Sequence, residues 1–310
     1  MHLLIPHAAA LSEAAREAQR QLDLPVLRRL LARLEAGPPD AGDEYTLSPP
    51  HERALASAWG WQGSDGAWPY AAQAAAADGI DVGGRAWGLL TPAHWKVGRD
   101  SVALADPELL ALDEAESRTL FDAARPLFES DGYAVAWGAP LRWYAAHDSL
   151  DGLPAASLDR AIGRNVDLWV RGSAPPAAAA TIRRLQSEIQ LLFYPHPVNE
   201  AREARGALTV NSFWLSGCGR HQSSDPTAVT QAASLRAPLL AGDWPAWTAA
   251  WRALDGGPIA ALLARVEAGQ PATLTLCGER RAQRFDRAAR RWWQRLAAPR
   301  VDVAAVLEGL

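Results

Sequence analysis

The chain has 310 residues, of which 49% are hydrophobic, so it can form one large domain with an inserted lobe or two packed domains. A net charge of −4 and a pI near 6.0 give no electrostatic reason for binding nucleic acid or an anionic membrane surface. Two cysteines do not make a disulfide framework, and no run of about 18 apolar residues could span a membrane. We therefore expect a cytoplasmic protein whose partner is a small molecule or another protein.

The N-terminal part of the chain is predicted to contain one strand followed by helices. Residues 2–6 have the length and apolar character of a buried strand, and Ser12 is placed to cap a helix. A second helix is predicted from Leu24 to Ala36, before a Gly-Pro-Pro run, and a third begins near Ser48.

From Arg85 onwards the pattern predicts paired strands with a helix on one face. The segment from Arg85 to Asp106 has the pattern of a hairpin or of two adjacent strands, and Asp113 caps a long helix. Tyr133–Trp137 and Arg142–Ala146 are predicted strands joined by a Gly-Ala-Pro turn. Antiparallel strands covered by a helix are typical of an α+β lobe.

A linker and a helix lead into the stretch with the most unusual chemistry. Ser157 begins a short helix, and a Pro-Ala linker is predicted at 174–180 before a helix from Thr181 to Phe193. A His-Pro turn and a short charged helix follow. Residues 208–220 are then predicted to form a strand that ends in a Gly-Cys-Gly loop.

The C-terminal part is predicted to contain helices around one strand. Asp243 caps a helix in which Trp244, Trp247 and Trp251 have the spacing of a packed face. Residues 272–277 are predicted to form a strand. Residues 280–295 hold seven arginines and are predicted to form a solvated or partner-facing helix.

One cluster of polar residues at 196–211 is a candidate anion site. His196, Asn199 and Arg202 lie at the predicted start of a helix, where free N–H groups and the helix dipole favour negative charge. Asn211 lies on the next strand, and a buried amide there must find a partner in the protein or on a ligand. The alternative is structural: Asn199 caps locally, the arginines are solvated, and Asn211 ties backbone segments together.

A second polar cluster lies in the segment GRNVDLW. Arg164 and Asp167 lie among apolar residues, and Arg142 is on a preceding strand. Arginines could clasp a phosphate or carboxylate, whereas an internal Arg–Asp pair that fixes the loop is the other interpretation. The histidines lack metal-ligand spacing, so no metal site is predicted. The GxSxG motif of serine hydrolases is also absent from the sequence.

Residues 196–206, HPVNEAREARG, and 209–219, TVNSFWLSGCG, resemble two segments of the archaeal-type, cofactor-independent phosphoglycerate mutases of the alkaline phosphatase superfamily. These are that family's His-Pro-x-Asn-x-x-Arg segment and its Ala-Asn-x-x-Trp-x-x-Gly-x-Gly strand. GRNVD is similar to a divergent form of the family's Pro-His-Asp-Ile turn, with Asp167 kept. The resemblance covers roughly Arg85 to Arg220.

This resemblance implies an α/β fold in two parts. Residues 1–84 and 221–310 would form a degenerate, reduced alkaline-phosphatase-like sheet core with helices on both faces. Residues 85–220 would form an inserted antiparallel α+β lobe. In such a core we expect Pro6-His7 and Gly278-Glu279 to meet at one end of a common sheet.

The flanking segments depart from the family pattern at the positions that bind metal. The family's first strand ends in a metal-binding Asp-Gly, whereas here it ends in Pro6-His7. A later family strand runs into Thr-Gly-Asp-His, whereas here the residues are Cys277-Gly278-Glu279-Arg280. Two-metal phosphoryl transfer needs several carboxylates and imidazoles. The resemblance therefore implies a proteobacterial branch that lacks the metal-site motifs.

Three functions are compatible with the sequence. The leading hypothesis is a pseudoenzyme without a metal or cofactor, which binds a phosphorylated or carboxylate metabolite in a binding or regulatory role. Its candidate ligand-binding residues are Arg142, Arg164, Asp167, His196, Asn199, Arg202 and Asn211. This hypothesis predicts that Arg202→Ala weakens anion binding and leaves the fold intact.

The first alternative is a metal-dependent phosphoglycerate mutase or phosphotransferase with a rearranged site that uses Mn or Zn. Its candidate residues are Asp65, Asp167, His196, His221 and Glu279. The second alternative is a protein-interaction module that uses the tryptophan-rich surface and the Arg-rich C-terminal helix.

Overall fold

The computed structural model describes residues 1–99, 101–170, 176–287 and 301–310. The chain divides into two units. The sheet unit comprises residues 1–45, 49–60 and 224–310, and the lobe unit comprises residues 46–48 and 61–223. Residues 61–84, which the resemblance predicts to lie in the core, belong to the lobe unit, because the helix at 70–77 packs on two strands of the lobe sheet.

The strands in the described ranges are β1 His2–Ile5, β2 Leu34–Ala36, β3 Asp40–Ala41, β4 Ala86–Ala93, β5 Trp95–Val97, β6 Val102–Leu104, β7 Ala134–Ala139, β8 Arg142–Ala146, β9 Ser212–Arg220, β10 Val229–Gln231, β11 Thr273–Cys277 and β12 Arg281–Arg287. The α-helices are α1 Glu13–Arg20, α2 Pro25–Leu31, α3 Pro50–Ala58, α4 Tyr70–Ala77, α5 Glu114–Ser130, α6 Leu158–Ala161, α7 Asp167–Val170, α8 Pro176–Phe193, α9 Pro197–Ala204, α10 Arg236–Ala241, α11 Trp244–Leu254, α12 Ala260–Glu267 and α13 Val303–Glu308. None of these helices is both long and apolar enough to cross a bilayer.

The sheet unit is built on a mixed sheet of order β10-β1-β11-β12-β2, with β3 also paired to β12. Strands β10, β1 and β11 are parallel, and β12 runs antiparallel to β11. Leu3, Ile5, Leu274 and Leu276 pack into a core with helices α1, α2, α11 and α12. Helix α3 contacts β1, β11 and β12 and is not part of that core, so the sheet is covered on both faces. The predicted α/β class is confirmed.

The lobe unit contains an antiparallel sheet of order β7-β8-β4-β9 and a separate β5-β6 hairpin. Helices α5 and α8 share one core with this sheet, whereas α4 packs into a second core with Trp87 and Tyr144. Gly217 permits the close approach of α4 to β9, since a Cβ there would lie 2.8 Å from the backbone nitrogen of Ala71. The predicted α+β lobe of antiparallel strands is confirmed.

Helix starts agree with the sequence because their caps are local. The Ser12 hydroxyl accepts a hydrogen bond from the Ala15 N–H at 3.2 Å. The Asp113 and Asp243 carboxylates likewise accept hydrogen bonds from backbone N–H groups three residues later. Such caps satisfy N–H groups that have no partner inside the helix.

Four predicted segments differ from the structure, and distant pairing explains two of them. The predicted helix Leu24–Ala36 ends at Leu31, because 34–36 pair with β12. The predicted Arg-rich helix is wrong for 281–287, which form β12 beside β11 and place Phe285 in the core. Its remainder, 288–295, lies outside the described residues. Backbone pairing with a neighbouring strand outweighs helix propensity here.

The other two differences are local. The predicted linker is helical from Pro176, where a proline at the first helical position loses no internal hydrogen bond. Residues 171–175 lie outside the described ranges. Within RNVDLWV, predicted as an extended crossing, residues 167–170 form α7.

Candidate functional site

The His-Pro turn begins helix α9, with Pro197 as its first residue, as the sequence predicts. The Nδ1 atom of His196 accepts a hydrogen bond from the Val198 N–H at 3.2 Å, so the ring caps the helix. Burial lowers the pKa of the His196 imidazole below its usual value. The ring is therefore an uncharged cap at neutral pH.

Asn199 is 3% exposed, and its amide is used entirely inside the lobe. The Nδ2 atom donates to the Phe193 carbonyl at 2.8 Å and to the Val210 carbonyl at 2.7 Å. The Oδ1 atom accepts from the Val210 N–H at 2.9 Å. Asn199 thus joins the end of α8 to the chain that enters β9.

Arg202 is fully buried, and its guanidinium is surrounded by acceptors from the lobe. The Nε atom donates to the Leu208 carbonyl at 2.7 Å, and the two terminal nitrogens bond the Leu110 carbonyl and the Glu116 carboxylate. Arg205 pairs with the same carboxylate from an exposed position. The guanidinium of Arg202 therefore stabilises the packing of α5 and α9.

The Asn211 amide also pairs with backbone. Its Oδ1 accepts from the Trp95 N–H at 2.7 Å, and its Nδ2 donates to the Trp95 carbonyl at 3.0 Å. Asn211 lies directly before β9, and this two-bond contact attaches it to β5. The expectation that a buried amide must find a partner is met by the protein itself.

The remaining predicted ligand residues lie elsewhere in the lobe. Arg142 makes two hydrogen bonds to the Asp78 carboxylate, at 2.9 and 2.8 Å, and these lower the pKa of Asp78. Arg164 precedes α7, and Asp167 at its start is exposed, with its N–H donating to the Asn165 side chain at 3.1 Å. The structure thus groups His196, Asn199 and Arg202 on and directly before α9, attaches Asn211 to β5, and joins Arg142 to Asp78.

Residues of the rearranged enzyme site also have structural contacts. The Asp65 carboxylate accepts hydrogen bonds from the Leu47 and Ser48 N–H groups, at 2.7 and 2.8 Å. Glu279 accepts from the Leu11 N–H at 3.1 Å. Glu279 belongs to the sheet unit, whereas Asp65, Asp167, His196 and His221 belong to the lobe unit.

Cys218, at the Gly-Cys-Gly end of β9, is fully buried, and burial raises the pKa of its thiol to about 12. The nucleophilic form of cysteine is the thiolate, which is scarce at neutral pH for such a group. Cys218 is therefore an apolar core residue.

The carboxyl ends of β1 and β11 lie at one edge of the sheet, as the sequence analysis expects. The strands are parallel, with Ile5 opposite Leu276. Just beyond them, the Ala8 N–H donates to the Cys277 carbonyl at 2.8 Å. Pro6-His7 and Gly278-Glu279 therefore leave the sheet side by side. Ligands of open α/β sheets commonly bind at this edge.

A cleft lies at this edge and has about 230 Å³ of empty space, its open mouth included. This edge cleft is lined by Ala9, Ala10, Leu11, Arg16, Gln19, Glu279, Leu307, Glu308 and Leu310. Its wall thus combines the loop after β1, helix α1, the turn after β11 and the segment around α13. Cationic, acidic and amide side chains all line it.

Gln19 is the unusual residue of the edge cleft. It is 2% exposed, and neither its Nε2 nor its Oε1 atom has a hydrogen-bond partner in the part of the chain that the structure describes. An unsatisfied buried polar group costs about 1–3 kcal/mol. Arg16 lies one turn earlier on α1 and is exposed. A ligand or water with a donor and an acceptor would satisfy the Gln19 amide.

Sequence reasoning missed Gln19 because no motif surrounds it. A helical-spacing signal was available, since Ala15, Ala18 and Gln19 lie at i, i+3 and i+4 on the buried face of α1. This spacing turns the amide inward. The absence of a partner for it depends on the tertiary structure.

No family model and no curated protein matches the sequence. Two solved structures are similar in fold, each at 12% sequence identity. The cofactor-independent phosphoglycerate mutase from Thermoplasma acidophilum DSM 1728 matches over 92% of this chain and 89% of its own, with a TM-score of 0.38. The PH0037 protein from Pyrococcus horikoshii matches over 94% of this chain and 88% of its own, with a TM-score of 0.43. At such scores, any functional conclusion depends on the site itself.

Proposed function

We propose that this protein binds a small metabolite with a carboxylate or phosphate group in the edge cleft and catalyses no reaction on it. The observation that carries the proposal is the buried, unpartnered amide of Gln19 beside the Arg16 guanidinium. The ligand class is the one expected from the sequence. The proposed location differs from the one expected from the sequence. The polar residues around α9 bond within the lobe, so we place the site at the carboxyl edge of the parallel strands.

The roles of the cleft residues follow from their chemistry. The Arg16 guanidinium donates charge-assisted hydrogen bonds to the anionic group. The Gln19 amide supplies one donor and one acceptor to the next polar group of the ligand. Glu279 and Glu308 favour a hydroxyl or ammonium group at the other end.

The absence of catalysis is inferred from the residues at the sheet edge. In the two residues that follow each carboxyl end, the parallel strands β1, β10 and β11 carry His7 and Glu279 as titratable residues. The Glu279 carboxylate accepts the Leu11 N–H. Two-metal phosphoryl transfer requires several carboxylates and imidazoles around the ions. These strand ends supply too few acidic residues for such a centre.

Calorimetric titration of the full-length protein tests the binding. The probes are 3-phosphoglycerate, malate, glutamate and inorganic phosphate. We expect at least one probe to bind at one site per chain. Arg16→Ala should weaken that binding by about 10-fold to 100-fold, because a charged hydrogen bond contributes about 1.5–3 kcal/mol. Gln19→Leu should weaken it similarly.

The matched controls lie on or beside the same helix and are exposed. Arg20→Ala and Gln21→Leu remove a guanidinium and an amide that contact Glu17 instead of the cleft, and we expect unchanged affinity. Affinity that is equal in Gln19→Leu and wild type, or no binding of any probe, would contradict the proposal. Formation of 2-phosphoglycerate from 3-phosphoglycerate with added Mn²⁺, followed by ³¹P NMR, would favour the enzyme alternative.

A further inference from the structure

The lobe unit contains a second cleft, whose walls are apolar. It lies between the loop at 153–156, strand β9 and helices α7 and α8. This lobe cleft has about 460 Å³ of empty space, its open mouth included. Leu153, Ile182 and Leu215 are among its apolar lining residues, and none of the described residues that line it has a formally charged side chain.

Trp169 lines the lobe cleft and has an unused hydrogen-bond donor. The residue is 9% exposed, and its indole Nε1 is buried without a hydrogen-bond partner among the described residues. Trp214, in the wall of the same cleft, differs, since its Nε1 donates to the Ala156 carbonyl at 2.9 Å. Buried indole N–H groups usually have a partner. The Trp169 N–H therefore lacks an acceptor that a bound molecule could supply.

Gln186 adds a hydrogen-bond acceptor to the same wall. It is 5% exposed, and its Nε2 donates to the Phe213 carbonyl at 3.3 Å. This bond orients the amide and leaves the Oε1 atom as an acceptor. The lobe cleft thus combines one donor, one acceptor and an apolar surface.

The donor is held in position before any ligand arrives. The guanidinium carbon of Arg160 lies 5.5 Å from the centroid of the Trp169 ring, and Arg160 is itself 3% exposed. The Arg160 Nε donates to the Thr46 carbonyl at 2.8 Å. A cation beside the ring stabilises its position, and a fixed donor lowers the entropy lost on binding.

We infer that the lobe cleft binds an uncharged small molecule composed of an aromatic or branched apolar group and a carboxamide. The amide oxygen accepts a hydrogen bond from the Trp169 indole N–H, and the amide N–H donates to Gln186 Oε1. An uncharged ligand is favoured because burying a carboxylate among apolar walls without a paired cation is costly. This site is independent of the edge cleft in residues and in ligand class.

Benzamide is a suitable probe because it has the proposed groups and little else. Full-length protein with ¹⁵N-labelled tryptophan is titrated, and the indole N–H signals are followed by NMR. Trp169→Phe identifies the Trp169 signal. We expect this signal to move downfield to saturation, as its proton gains an acceptor. Acetophenone, which keeps the acceptor and lacks the donor, should bind about fivefold more weakly, and benzoate more weakly still.

Two further variants keep the test decisive. Trp169→Phe retains an aromatic ring without the donor and should weaken benzamide about fivefold to tenfold, whereas Trp244→Phe, in the sheet unit, should leave its affinity unchanged. Ala179→Leu narrows the lobe cleft from helix α8 and should abolish binding. A Trp169 signal that does not move at high benzamide concentration would overturn the inference. Equal affinity in wild type, Trp169→Phe and Ala179→Leu would do so too.

Discussion

Two sets of buried polar side chains, one in each unit, differ in whether they have hydrogen-bond partners. In the lobe unit, Asn199 and Arg202 belong to a recognisable motif, and their polar groups bond within the lobe. In the sheet unit, Gln19 belongs to no motif, and both polar atoms of its amide lack a partner among the described residues. The motif is therefore structural, and the ordinary glutamine indicates a ligand. The proposed ligand site therefore rests on unsatisfied burial and not on a residue pattern.

The difference has a physical cause. Around helix α9, several backbone carbonyls of neighbouring segments are buried, and such carbonyls must find hydrogen-bond donors. Asn199 and Arg202 supply those donors. At the edge of the parallel sheet the backbone ladder ends, and side chains from several loops and helices converge around open space. A polar group there can remain available to a ligand.

The largest expected effect is the loss of the Arg202 guanidinium. Arg202→Ala should lower the free energy of unfolding of the lobe by about 3–5 kcal/mol, because it removes the buried partner of the largely buried Glu116 carboxylate and the donor to two carbonyls. Urea denaturation monitored by circular dichroism measures this change. This expected loss of stability differs from the expectation from the sequence, which is that Arg202→Ala leaves the fold intact.

Arg205→Ala is the matched control, since Arg205 pairs with the same Glu116 from an exposed position. Exposed ion pairs contribute about 1 kcal/mol or less, so this variant should be close to wild type. Equal stability of the two variants would show that Arg202 has no structural role and would revive it as a ligand residue.

A smaller loss is expected for Asn199. Asn199→Ala removes three hydrogen bonds to backbone groups and should cost about 2–4 kcal/mol in thermal or urea denaturation. Asn165→Ala, which removes one hydrogen bond to the Asp167 N–H, should cost about 1 kcal/mol. A change in Asn199→Ala no larger than this control would contradict the structural interpretation of the motif.

The smallest effect has the opposite sign. Gln19→Leu replaces an unsatisfied buried amide by an apolar group of similar size, so it should raise the free energy of unfolding by about 1–2 kcal/mol in the absence of ligand. Gln21→Leu, at an exposed position, should change it by less than about 0.5 kcal/mol. Destabilisation by Gln19→Leu would mean that the amide is satisfied in solution, and the comparison between the units would fail.

Much of the architecture could be predicted from the sequence where the causes are local. Ser12, Asp113 and Asp243 begin helices because each cap bonds an N–H only three residues away. The apolar residues of β1 and β11 mark buried strands of limited length. The parallel pairing of these two strands agrees with the expectation that residues 6–7 and 278–279 meet at one end of the sheet.

Long-range pairing explains what the sequence could not predict. Residues 281–287 have the arginines of a solvated helix, yet their backbone groups pair with strands β11 and β2. Strand β2 lies more than two hundred residues earlier in the chain. The same pairing ends α2 before 34–36. Local propensity is worth less than a complete hydrogen-bond ladder in a buried sheet.

The sequence by itself determined the helix caps, the strand content, the α/β class and the presence of an α+β lobe, because these depend on residues close together in the chain. Only the tertiary structure decided which polar residues are satisfied. Asn199 and Arg202 meet carbonyls and a carboxylate from other elements, whereas the Gln19 amide and the Trp169 indole N–H meet no partner within the described ranges of the chain. A hydrogen bond requires its partner within about 3 Å, and that proximity comes from the packing of distant segments.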